Sequence, residues 1–368
     1  REIAGGRPGV ITKIGLHTFV DPRLQGGKMN EITKEDLVEL MVIDGEEYLR
    51  YKPFKHINVG VIRGTYADTD GNMTMEKEAA FLEALAMAEA VKNTGGIVIA
   101  QVEDIVDKGT LNPKDVKVPG ILVDYIVKGT PENSWQTYLD PYKPEFSGQI
   151  KKPLDALAPM PLNARKVISR RAAMELSPNA IVNLGIGIPE GIANVANEEG
   201  IEGLKMTVEA GNIGGVPASG VGFGACTNPD CTIDSPAMFD FYDGGGLDQA
   251  FLGLAECDSE GNINVSRFGP RIAGCGGFIN ITQSTPVVVF CGTFTAKGLK
   301  ENIGEGKLEI VNEGQVKKFK QDIDQITFSS EFAKEAGQKV LYVTERAVFE
   351  LKDGVFTLTE IAPGVDLQ

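Results

Sequence analysis

Apolar and polar positions follow two rhythms along this chain. Over residues 75–93 Ala, Leu, Met and Glu dominate, and Ala80, Leu82, Leu85, Ala86 and Ala90 gather on one face at helical spacing. The pattern predicts a helix there, stopped by Gly95-Gly96. Ile97–Val102 is a short apolar run and predicts a buried strand. Further on, residues 165–176 read as a helix with Asn163 as its N-cap, residues 180–184 as a strand, and residues 189–198 as a helix opening on proline. Met206-Thr207-Val208 fits another strand. Short apolar strands alternating with helices predict an α/β fold with parallel-rich sheets.

Two stretches resemble each other. Laying Gly71-Asn72 on Gly261-Asn262 gives an offset of 190 positions, and the same shift lays Ile97-Val98-Ile99 on Val287-Val288-Val289. Both hits suggest two similar, duplicated α/β domains. The glycine-rich loop at 185–189 projects back to a position before residue 1, so the first domain is expected to be incomplete in this chain. Three prolines (Pro153, Pro159 and Pro161) exclude helix and central strand and mark a connector. The expected division is 1–150, a linker at 151–163, and 164–368.

Composition narrows the chemistry. The chain has 368 residues, long enough for two domains, with 42% apolar and 24% charged positions. Its formal charge of −15, from 36 basic and 51 acidic side chains, repels phosphate backbones and argues against a nucleic-acid partner. No apolar run is long enough to span a bilayer, and no secretory signal is visible. The first residue is Arg1, and a lost N-terminal portion is expected as a partner. The five cysteines form no Cys-x-x-Cys pair and no histidine accompanies them, which argues against a metal site and for a cytoplasmic location. His17 and His56 both precede residue 60, so chemistry in the remainder must use carboxylate, thiol, Lys, Ser/Thr or Tyr.

The loop Gly185-Ile186-Gly187-Ile188-Pro189 joins strand to helix, where amides can face an anionic ligand. It misses the dinucleotide fingerprint because Glu190 occupies the third glycine position. Glycine clusters recur at 211–215, 244–246 and 269–277, which suggests a long ligand approached closely by several backbone segments. Glu209 follows the expected strand over 206–208 and precedes Gly211, the place where α/β sheets bind ligands. An ordinary turn acid is one reading. The other is a carboxylate nucleophile, already ionised and needing no base, attacking an acyl carbonyl while backbone amides hold the oxyanion.

Together these segments resemble family I coenzyme A transferases of the single-chain short-chain acyl type, which act on acetate or propionate. The likeness rests on residues 185–189, Thr207-Val208-Glu209-Ala210-Gly211, Gly274-Cys275-Gly276-Gly277 and the Phe239 to Gly246 segment, and it covers 165–368. Residues 1–150 look like the back part of the family's first half. The resemblance implies a ping-pong transfer of coenzyme A between an acyl-CoA and a carboxylate, through an acyl-glutamyl anhydride and a glutamyl-CoA thioester on Glu209. It implies oxyanion donors at Gly276 and Gly277 and CoA contacts at 185–189. CoA is then a substrate, with no cofactor and no metal. Relatives assemble from several subunits, so a homo-oligomer is expected. Val208 and Ala210 replace the Ser and Asn common beside the nucleophile, and Asn280 stands where many relatives have Asp. Both departures bear on acyl specificity. Arg267 and Arg271 are candidates for the nucleotide end of CoA, or are surface charges. Two rival readings are an acyl-CoA hydrolase on the same fold and a metabolite-sensing domain without catalysis.

Overall fold

The computed structural model describes residues 1–153 and 159–366; positions 154–158, inside the expected connector, lie outside the described residues. The chain divides into two compact units, each assembled from separate segments. The first comprises Arg1–Thr12, Arg50–Pro153 and Met206–Asp240, and the second Lys13–Leu49, Leu154–Lys205 and Phe241–Gln368. Compactness thus cuts the chain more often than two consecutive halves would.

The elements that matter below are, in chain order, β1 (Val59–Arg63), α1 (Ala84–Asn93), β2 (Ile97–Val102), β3 (Tyr125–Lys128), α2 (Ala164–Ala173), β4 (Ile181–Leu184), α3 (Glu190–Glu198), β5 (Lys205–Thr207), β6 (Asn212–Ile213), β7 (Gln249–Gly253), α4 (Phe278–Ser284), β8 (Val287–Cys291), β9 (Lys339–Val343), β10 (Ala347–Lys352) and β11 (Val355–Ile361). The α/β class with parallel-rich sheets is as expected.

In the first unit the order is β3-β2-β1, all parallel. Strand β2 matches its predicted bounds, but only one face is buried: Val98, Ala100 and Val102 point inward while Ile97 is exposed. Those three pack with Ile62, Met73, Ala88 and Val91 in one apolar cluster. Helix α1 begins nine residues later than its composition suggests. Its buried residues are Ala84, Ala88, Ala90 and Val91, whereas Leu82 and Leu85, expected on the apolar face, are exposed. The cause is tertiary competition for the backbone. The carbonyls of Lys77, Ala79 and Leu82 accept hydrogen bonds from the Gln136 side chain, the Asn212 side chain and the Ser235 amide. Leu82 itself is left-handed, at φ +50°. Helical propensity of a few tenths of a kcal/mol per residue is too weak to resist such a network. Gly95, at φ +85°, ends the helix as predicted.

In the second unit strands run β4-β7-β8-β9-β10-β11. The first four are parallel, and β10 and β11 return antiparallel. Residues 288–291 and 340–343 are almost wholly buried. Phe290 meets Phe328 edge-on at 4.8 Å between ring centres and lies 5.4 Å from Tyr342. Asn163 caps α2 as expected, its side chain accepting from the Lys166 amide. Helix α3 starts at Glu190, with Pro189 as the cap residue.

The repeat is physical. Strand β1 pairs with β2 in the register Val59 to Ile97, and β7 pairs with β8 in the register Gln249 to Val287, the same residues displaced by the offset of the sequence match. After each first strand comes the same turn. Asp68 Oδ1 accepts from the amides of Asp70 and Asn72, both at 3.0 Å; Asp258 Oδ1 accepts from Glu260 at 3.0 Å and Asn262 at 2.8 Å. The side-chain amides of Asn72 and Asn262 return to the other carboxylate oxygen at 2.9 and 2.8 Å. Gly71 and Gly261 take φ +91° and +88°, which a side chain would resist.

Candidate active site

Glu209 sits on a tight hairpin between β5 and β6. The Gly211 amide donates to the Val208 carbonyl and the Val208 amide to the Asn212 carbonyl, both at 2.9 Å, so 208–211 form a β-turn with Glu209 at its second position. Gly211 is required. Its φ is +119°, and an added Cβ would lie 1.9 Å from the Ile233 carbonyl oxygen. The residue is half-buried and its Oε2 atom is buried. Placement at the carboxyl end of a strand agrees with the reading from sequence.

Asn212, fully buried at the start of β6, ties this hairpin to its surroundings. Its side-chain nitrogen donates to the carbonyls of Ala79 and Gly224, each at 3.1 Å, and its oxygen accepts from Thr232 Oγ1 at 2.8 Å. Ala79, Gly224 and Ala210 line one half-open cavity of the first unit, 470 Å³ in volume. Polar side chains on that cavity include Arg63, Glu78, Glu83, Gln101, Gln136, Thr137 and Tyr138. Arg63 holds Glu78 through two donors, Nη2 at 2.7 Å and Nε at 3.2 Å. Burial pushes the Glu78 carboxyl up, with Arg63 opposing. Sequence reasoning missed Asn212, Arg63, Glu78 and Gln101. Only Asn212, three residues after Glu209, carried a positional hint.

The other expected residues belong to the second unit. Between β4 and α3, the Gly185 amide donates to the Phe251 carbonyl at 2.8 Å, and a Cβ there would meet Leu252. Gly187 takes φ +93°. Arg165 on α2 donates to the Gly187 carbonyl and pairs with Glu190 at 3.2 Å, and Ile186 is exposed. The close helix contact that a third loop glycine would serve falls instead to Gly191, where a Cβ would stand 2.4 Å from Ser169 Oγ.

Arg267 and Arg271 lie on a two-residue-by-two-residue hairpin, Arg267 opposite Ile272 and Phe268 opposite Arg271. The amides of Ala273 and Gly274 close it by donating to the Ser266 carbonyl at 2.8 and 3.0 Å. That hairpin leads straight into 274–277, so the two arginines and the glycine loop form one continuous segment. Gly274 and Gly276 have positive φ, and Gly277 is the cap residue of α4. Among the described residues no acceptor meets the Gly276 or Gly277 amide. Asn280, on the next turn, donates to Asp243 Oδ1 at 2.8 Å.

Four of the five thiols are poor competing nucleophiles, while Cys231 is exposed. Burial pushes the Cys226 thiol up to about 12 and raises Cys257, Cys275 and Cys291, which keeps these thiols protonated near neutrality. Among the described residues no group of His, Cys, Asp and Glu could hold a metal ion, and no helix is long and apolar enough to cross a membrane.

The chain is similar to known proteins. A family model described as coenzyme A transferase matches residues 3–129. A caffeate CoA-transferase of Acetobacterium woodii is 56% identical across 100% of this chain and 71% of its own length. An acetate CoA-transferase of Escherichia coli, YdiF, is 47% identical across 100% of this chain and 69% of its own. Crystal structures of the E. coli acyl-CoA transferase YdiF, as apoenzyme and as a thioester complex with CoA, superpose with a TM-score of 0.92 in both cases, at 48% and 46% identity, covering 100% of this chain and 69% of theirs. The chain therefore belongs to the family I coenzyme A transferases, enzymes that move CoA between an acyl thioester and a carboxylate.

Proposed function

We propose that this enzyme works by ping-pong transfer with Glu209 as nucleophile. A Glu209 carboxylate oxygen attacks the thioester carbonyl, the C–S bond breaks, and the CoA thiolate leaves an acyl-glutamyl anhydride. The thiolate then attacks the Glu209 carbonyl carbon, releasing the first acid as its carboxylate and forming a glutamyl-CoA thioester. An acceptor carboxylate reverses both steps, with no net proton change. Amides of Gly276 and Gly277 serve as oxyanion donors, residues 185–189 contact CoA, and Arg267 and Arg271 attract its phosphates. No cofactor or metal enters these steps. Acetate and propionate are among the acids proposed.

The observation that carries this reading is the buried Oε2 of Glu209 on a turn that only glycine at 211 permits. The thioester seen in the YdiF complex with CoA supports the intermediate. Intact mass before and after adding acetyl-CoA tests it. The expected gain is that of CoA less water, located on Glu209 and removed by acetate. No adduct overturns the proposal, and free acid appearing without an acceptor makes the enzyme a hydrolase.

The matched strand registers support the division into a first-half remainder at 1–150, a connector at 151–163 and a second half at 164–368. One difference between the copies suggests a partner. Strand β7 lies between β4 and β8, whereas β1 ends the order β3-β2-β1 with Val59 50% and Val61 65% exposed. The edge of β1 suits the proposed association with an N-terminal portion; a homo-oligomer is proposed separately, and sedimentation would read its mass. The free cysteines suit the reducing cytoplasm, the proposed location.

A further inference from the structure

We propose that residues 13–29 form a strap that fixes the 274–277 loop for catalysis, with Gln283 as a positioning residue; this deepens the reading of Gly276 and Gly277 as oxyanion donors and rests on it. Glycine makes that loop permissive and hard to hold. Gly274 and Gly276 take φ of +80° and +52°, and Cys275 carries the only side chain in 274–277. Amides stabilise an oxyanion only when held where it forms, and a displacement of about 1 Å can cost a hundredfold in rate. Contacts from outside the loop must therefore fix it.

The strap, which belongs to the second unit, reaches the loop from two sides. On the helix side, Gln283 of α4 is 4% exposed and both ends of its side-chain amide are committed. Its oxygen accepts from the Gly15 amide, 268 positions away, and its nitrogen donates to the Leu16 carbonyl at 2.9 Å. One turn earlier Ile279 packs with Ile14 and Phe19, and Cys275 packs against the same cluster. On the hairpin side, the Gln25 side chain accepts from Gln325 at 2.8 Å and donates to the Asp324 carbonyl at 3.2 Å. Those two residues hold the hairpin that leads into the loop. Gln325 Oε1 accepts from Ser266 Oγ at 2.8 Å, and Asp324 Oδ2 from the Gly269 amide at 2.6 Å. Buried Asp21 stiffens the strap itself, accepting from the amides of His17 at 3.0 Å and Arg23 at 2.9 Å. One segment thus anchors the loop both before and after its glycines, the kind of support that precise placement of donors requires.

The test reads kcat apart from KM on the full protein, with acetyl-CoA and one acceptor. Gln283→Met keeps the volume and removes both bonds. Both half-reactions use the same donors, so kcat and kcat/KM should fall together by roughly tenfold, with KM changed less than about twofold. Phe19→Leu, a milder repacking, should lower kcat by roughly threefold with KM unchanged, and it carries the test if Gln283→Met does not fold. Val340→Ala, in the sheet core of the same unit, should lower the unfolding midpoint and leave kcat per folded enzyme unchanged. Unchanged kcat in Gln283→Met, or in Phe19→Leu where that variant carries the test, overturns the proposal, as does an equal loss in Val340→Ala. Gly277→Pro removes one donor outright and should lower kcat by about a hundredfold or more. If it does so while the Gln283 and Phe19 variants do not, only the strap's role fails. If Gly277→Pro leaves kcat intact, the oxyanion reading fails as well.

Discussion

Residues 59–102 and 249–291 pass through the same elements at a constant displacement: strand, Asp-centred turn, helix, parallel strand. They part company in one place. Between turn and helix the first copy lays down 75–83, a non-helical stretch of mixed charged, small and apolar residues that walls a cavity. The second copy places there a hairpin bearing Arg267 and Arg271 and then the glycine loop at 274–277. Strands and turns repeat because local chemistry determines them, as β-branched runs and an Asp that collects two amides do. The divergent stretch is free of that constraint, so one scaffold can present a cavity wall in one copy and cations beside a glycine loop in the other.

The largest expected effect separates the two copies from the hairpin that belongs to neither. Glu209→Gln should reduce transfer by roughly four orders of magnitude or more with thermal unfolding little changed, whereas Glu78→Gln, in the first copy's divergent stretch, should cost only a few-fold. Steady-state assays with acetyl-CoA check both. The reverse ranking would put the nucleophile inside the repeat and break the comparison.

Next comes Gly211→Ala. With a Cβ 1.9 Å from a backbone oxygen and φ at +119°, the turn must rebuild. Denaturant midpoints should show destabilisation of about 2 kcal/mol or more, and activity should fall further than stability.

The two equivalent turns can then be set against each other. Gly71→Ala and Gly261→Ala both force a side chain to positive φ, so each should cost more than about 1 kcal/mol. Gly261→Ala should cost more, because its Cβ would stand 2.8 Å from the Tyr342 hydroxyl, while at Gly71 the nearest atoms are 3.2 Å away. Equal losses in calorimetry would mean that packing around the turns does not distinguish the copies.

The smallest effect is in pH. Burial works against ionising Asp68, but donation from the Asn72 side chain and from the amides of Asn72, Asp70 and Gly109 outweighs it and holds the carboxyl below its ordinary value. A depressed folded value means that the stabilisation is fully present above the ordinary carboxylate range and is lost as pH falls through the folded one. Asp68→Asn should therefore flatten the acid limb of stability against pH while lowering the plateau near neutrality. An unchanged acid limb would refute the assignment.

Much of this could be read from residues alone, and the exceptions have particular causes. The repeat offset, the bounds of β2, the cap at Asn163 and the strand before Glu209 were legible because each depends on neighbours close in sequence. The expected helix over 75–93 lost its first nine residues because Gln136, Asn212 and Ser235, distant in sequence, take the carbonyls it would have used. Glu190 spoiled the dinucleotide pattern as expected, yet the close packing that pattern requires reappears one residue later at Gly191. The cavity wall was invisible, since Ala, Met and Phe look the same whether they face a core or a ligand.

Spacing and local stereochemistry along the chain therefore determined the α/β alternation, the duplicated strand–turn–strand unit, the need for glycine after Glu209 and membership of the CoA-transferases. Only the tertiary structure decided where α1 begins, that Asn212 braces the nucleophile's hairpin, and that a cavity opens beside Ala210. The first set rests on interactions between residues a few positions apart, which any stretch of sequence displays. The second rests on hydrogen bonds and packing between segments up to about 150 residues apart, whose partners exist only once the chain has folded.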